Sequence, residues 1–118
     1  MNFYIAKLVF RILSGKGEHQ GQFDEQLRLI MADDDLNALK KAKAIGLTEE
    51  TSFMNEKKQA VQWKFIAVVE LTQFDKLDHG AELYYQITEV EQSEQYINKL
   101  LSRSANLEYN SKMFSITH

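Results

Sequence analysis

The run Ala60 to Thr72, AVQWKFIAVVELT, is the longest β-favouring stretch in the chain, and any fold must give it a covered strand position. At period two, Val61, Trp63, Phe65, Ala67, Val69 and Leu71 fall on one wholly apolar face. Gln62, Lys64, Ile66, Val68, Glu70 and Thr72 fall on the other, which is polar at its ends and apolar in the middle. The pattern predicts a central strand, fully covered on one side and partly on the other.

The rest of the chain supplies neighbours for it. Residues 3–13 alternate, with Tyr4, Ala6, Leu8, Phe10 and Ile12 opposite Phe3, Ile5, Lys7, Val9 and Arg11. Ser14 to Gly21 gathers three glycines among polar residues and predicts a hairpin turn. A second strand follows, with Phe23, Glu25, Leu27, Leu29 and Met31 on its expected core face and Gln22, Asp24, Gln26, Arg28 and Ile30 on the other. Asp33, Asp34 and Asp35 can cap a helix, which Leu36, Leu39, Ala42 and Ile45 would pack on the sheet and Gly46 would end. A short strand before Asn55, a strand over Ala81 to Thr88, a helix over Ser93 to Ser104 and a docked tail over about residues 105–118 complete the expectation.

This order predicts a single α+β domain over residues 1–118, a largely antiparallel sheet with two helices on one face. A split βαβ connection of ferredoxin-like kind is one way to link the elements, although the opening hairpin departs from its simplest form. With 44% hydrophobic and 26% charged residues the composition is that of a globular chain rather than a disordered one. The net charge of −3 argues against a nucleic-acid partner. The chain has no cysteine, which removes disulfides, thiolate nucleophiles and zinc–thiolate sites, and fits a cytoplasmic setting. Lys7 and Arg11 interrupt the apolar N-terminal run, so neither a signal peptide nor a membrane span is expected.

Four stretches carry a resemblance: FYIAKLVF at 3–10, the turn at Asn55, VQWKF at 61–65 and HGAELYYQI at 79–87. In this order they resemble the small bacterial domain-of-unknown-function family 4288, with Tyr4, Ala6, Lys7, Trp63, Phe65, Gly80, Glu82 and Tyr84 matching its pattern. The similarity covers roughly residues 3–88 and leaves the tail after about Ser104 unmatched. It implies the fold and brings no activity with it.

No residues form a catalytic, metal or cofactor motif. His19, His79 and His118 are scattered, and Asp33 to Asp35 lack the later glycine and glutamate of a calcium loop. Two readings follow. The first is a non-catalytic interaction module that engages another protein or a second copy of itself, its sheet face of Ile5, Val9, Ile30, Ile66 and Val68 covered by a homodimer partner, the favoured reading, or by the tail. The second is a small-ligand binder or enzyme using a polar cluster of Lys7, Glu82, Tyr84 and His79.

Overall fold

The computed structural model describes residues 1–15 and 21–117. The chain divides into two compact units, Met1–Tyr85 and Gln86–His118. In the first, the elements run β1 (Asn2–Ser14), β2 (Gln22–Ala32), α1 (Asp35–Thr48), β3 (Thr51–Met54) and β4 (Ala60–Phe74). The four strands form one sheet in the order β2-β1-β4-β3, with every neighbouring pair antiparallel. The fold is α+β, and the run from Ala60 is indeed a central strand. The connection differs from a split βαβ unit, in which a helix joins two parallel strands. Here α1 joins β2 to β3, strands at opposite edges of the sheet whose directions, followed through the three antiparallel pairs, are opposed.

α1 packs across β4, β2 and β1 and covers one face of the sheet, the inner face. Asp34 is its N-cap and accepts the Asn37 N–H at 2.8 Å, as expected for an acidic start. The packing face matches the expected stripe only in part, with Ala42 in the core and Ile45 packed against it. Ala38, Ala42 and Gly46 are buried, whereas Leu36 is 61% exposed. The large core side chains come instead from the sheet, chiefly Tyr4, Leu8 and Phe10, with Trp63, Phe65, Val68 and Leu71 packed against them. Gly46 does not end the helix, which runs to Thr48 with Glu49 as its C-cap. Its role is close approach, since a Cβ at this position would collide with the Phe65 ring.

Two further expectations reverse for identifiable reasons. On β2 the side facing α1 carries Asp24, Gln26, Arg28, Ile30 and Ala32, while Phe23, Leu27, Leu29 and Met31 are exposed on the outer face. The polar row survives inside because its groups bond to one another. Arg28 donates to Gln26 Oε1 through Nε and Nη2, and Gln26 Nε2 donates to Asp24 Oδ2 at 2.6 Å. On β4, pairing with β1 slips twice, between Lys7 and Leu8 and between Val9 and Phe10, so Val69 and Ile66 are extra residues. Each bulge resets the alternation. Val68 therefore joins Trp63, Phe65 and Leu71 against the core, and the expected single face of Ala67 and Val69 does not form.

Of the five residues assigned to one exposed face, Ile30 and Val68 thus lie on the α1 side, Ile30 being buried. The β3–β4 turn matches expectation, with Asn55 Oδ1 accepting the backbone N–H groups of Lys57 and Gln59 at 2.9 Å each. The polar turn of the first hairpin, and His19 within it, falls mostly on residues 16–20, outside the described residues.

In the second unit, residues 86–92 precede α2 (Ser93–Thr117), one continuous helix where a shorter helix and a tail were expected. No glycine or proline follows Ser93 to stop it. Ile97, Leu101, Leu107 and Tyr109 are exposed along it, and Lys112 pairs with Glu108 one turn earlier at 3.1 Å. Among the described residues no helix is long and apolar enough to cross a membrane.

The helix–sheet contact gives a test of opposite signs. Gly→Ala inside a helix ordinarily gains about 1 kcal/mol, but overpacking a filled site costs about 1–3 kcal/mol, so Gly46→Ala should destabilise the protein. Leu36→Ala should stay within about 0.5 kcal/mol of wild type. Urea denaturation of both variants checks the assignment, and a more stable Gly46→Ala would refute the close approach.

The Tyr4 hydroxyl is held above its usual value of 10.0, first by burial and then by a hydrogen bond to Asp35 and the charges of Asp35 and Asp34, against a lowering contribution from Asn2. The unfolded chain therefore loses this proton first. The stabilisation is complete below about pH 10 and is lost as pH rises through the higher folded value. Stability curves at alkaline pH should fall less steeply for Tyr4→Phe than for wild type.

Candidate functional site

The face of the sheet turned away from α1 is set by the odd-numbered residues of β1. Phe3, Ile5, Lys7, Val9 and Arg11 lie there, opposite Met31, Leu29, Leu27, Glu25 and Phe23 of β2. On the β4 side the same residues meet Phe74, Thr72, Glu70, Ala67 and Lys64. Phe3 stacks on Phe74 at 5.6 Å between ring centroids, and Phe74 is buried. Apolar groups dominate this face, and Leu27, Leu29, Met31, Ile66 and Val69 are exposed.

A polar line crosses it. Lys7 Nζ lies 3.6 Å from Glu25 Oε1, Glu70 is the β4 partner of Lys7, and the Tyr84 hydroxyl donates to Glu70 Oε2 at 3.4 Å. Two of the four residues singled out from sequence, Lys7 and Tyr84, therefore both neighbour Glu70, Lys7 as its register partner on β1 and Tyr84 through its hydroxyl. Glu82 is not the partner of Lys7. The expected strand over Ala81 to Thr88 is absent from the sheet, so no ladder brings Glu82 opposite β1. His79 is exposed in the turn that follows β4, where the Ala81 N–H donates to the Asp78 carbonyl and Gly80 takes φ +85°, a conformation suited to glycine.

The segment after β4 and the end of that strand border an open cleft of about 370 Å³, lined among others by Phe74, Asp75, Lys76, Glu82, Leu83 and Tyr84. It brings Glu82 and Tyr84 together and leaves Lys7 and His79 outside its lining. Among the described residues no three His, Asp or Glu side chains converge as a metal site would require. Glu25 and Glu70 are the members of the polar line that sequence reasoning missed. Their signal is register: each becomes a neighbour of Lys7 only once β1 is known to lie between β2 and β4.

A family model described as "Domain of unknown function (DUF4288)" matches residues 3–85. No curated protein and no solved structure matches the chain.

Lys7 and Glu25 are partly exposed at 29% and 59% of their side-chain surface, so their ion pair should be worth no more than about 1 kcal/mol. A double-mutant cycle with Lys7→Met and Glu25→Gln, read by urea denaturation, should return a coupling within that bound. A markedly larger coupling would show a pair shielded from water.

Proposed function

Since the chain belongs to the DUF4288 family, whose description assigns no activity, we propose from its surface that it is a non-catalytic protein-interaction module acting in the cytoplasm, with a second copy of itself as partner. The outer sheet face carries this reading. Leu27, Leu29, Met31, Ile66 and Val69 are between 45% and 58% exposed on neighbouring strands, with half-buried Ile5 and Val9 between them. Soluble proteins seldom leave apolar groups bare in such numbers on one sheet, and an isologous contact places the same patch from both copies face to face. The polar line from Glu25 through Lys7 and Glu70 to Tyr84 supplies register within that contact, since apolar packing alone is tolerant of sliding. The lack of cysteine supports the compartment.

The probe must sit on the outer face. Val68→Asp, the substitution that period-two reading suggests, would place a carboxylate against the core and unfold the protein. Leu29→Asp places it on the exposed face instead. In sedimentation equilibrium the wild type should associate with rising concentration, and Leu29→Asp should remain a folded monomer. A wild-type chain that stays monomeric to about 500 μM, where any association of useful affinity would register, rejects self-association.

A further inference from the structure

The inner face carries a second feature, independent of the outer one. Beyond the C-terminal end of α1 lies a cavity of about 300 Å³ bordered by Phe10, Gln26, Glu49, Thr51, Phe53 and Trp63. Four strands and the helix cap meet around it. Phe53 and Trp63 stack with centroids 6.1 Å apart and planes 21° from parallel, and Phe10 is fully buried.

The polar groups around these rings are arranged with their donors already engaged. Trp63 Nε1 donates to Asp24 Oδ2 at 3.1 Å, and Gln26 Nε2 donates to the same oxygen. The Arg28 guanidinium is directed along β2, donating to Gln26 Oε1 at 3.0 and 2.8 Å, with Glu49 Oε1 at 3.6 Å from its Nη2. Glu49 borders the cavity and Asp24 lies behind Trp63 and Gln26, so this cluster holds two carboxylates and one guanidinium. Glu49 is also the C-cap of α1, so the negative end of the helix dipole lies at the same rim. Aromatic rings attract cations, tryptophan most strongly. A volume at the lower end of small-ligand pockets suits a group of side-chain size.

We propose that this cavity binds an organic cation on an alkyl stem, a guanidinium or ammonium group, with the stem against Phe10, Phe53 and Trp63 and the charge toward Glu49, the Asp24 carboxylate adding negative potential from behind the Trp63 ring. The cation can arrive on a small molecule or on an arginine or lysine side chain of a peptide. The second source has an approach of its own, because β3, which contributes Thr51 and Phe53, is an edge strand able to pair with an added strand.

Trp63 is the only tryptophan in the chain, so its fluorescence and its indole N–H resonance report on this cavity alone. Butylguanidinium, a valine-flanked arginine peptide and the same peptide with citrulline, which is neutral and nearly isosteric, are titrated separately. Both cations should shift the Trp63 signals saturably and the citrulline peptide should not. Glu49→Gln and Asp24→Asn keep hydrogen-bonding shape and remove charge, and each should weaken the response about tenfold. Equal affinity of the two cations identifies a small-molecule source, and tighter binding of the arginine peptide identifies a side chain. No saturable shift up to about 100 mM cation, where even a millimolar site would be filled, overturns the proposal. So does an equal response to citrulline, or indifference to both substitutions.

Discussion

The close contact of α1 with the sheet is the constraint on which the first unit depends. Ala38, Ala42 and Gly46 repeat every four residues and give the helix a stripe of small residues, flanked by Ile45. The helix backbone can then approach β4 until the Phe65 ring fills the place of a missing Cβ. Volume is conserved by putting the bulk on the other partner, where Tyr4, Leu8 and Phe10 project from β1. Leucines on the helix face would have forced the layers apart and left those rings without contacts. Leu36 and Leu47 accordingly sit outside, each exposed.

That division of bulk also explains what could be read from the sequence. The strands β1 and β4, the helix start at Asp34 and the Asn55 turn follow from local signals: alternation, a capping aspartate and an Asx turn. The faces of α1 and β2 do not. A leucine stripe is the usual sign of a buried helix face, and only the opposing rings of β1 and β4 make a small-residue stripe the better solution. On β2, alternation showed two faces correctly but not which was inner, because Asp24, Gln26 and Arg28 satisfy one another and need not be in water.

The bulges of β4 misled the reading in another way. Strict period two over thirteen residues suggested one unbroken apolar face, yet Ile66 and Val69 are both supernumerary against β1. Nothing local marks either position; neither is a glycine or proline. Together they leave Phe65 and Leu71, an even number of residues apart, on the core face that alternation gives them, and turn Val68 between them to that same core. The polar line on the outer face depends on the same bulges, since Glu70 meets Lys7 only through the register that they determine. Glu70, which lies between Lys7 and Tyr84 in this line, was therefore invisible to sequence reasoning, although Lys7 and Tyr84 were not.

The two sheet faces end with different chemistry from one pattern of alternation. Along β1, each step of one residue crosses the sheet, so the strand that contributes Phe10 to the inner cavity contributes Val9 to the outer patch. β2 carries the same division with polarity exchanged, its charges inside and its leucines outside. A one-residue slip of β2 against β1 would remove Asp24 from Trp63 and Leu29 from Ile5 at once. The hydrogen bond from Trp63 to Asp24 links β4 to β2 across the intervening β1, and it opposes that slip. The polar row inside the sheet therefore sets the register on which the apolar face outside depends.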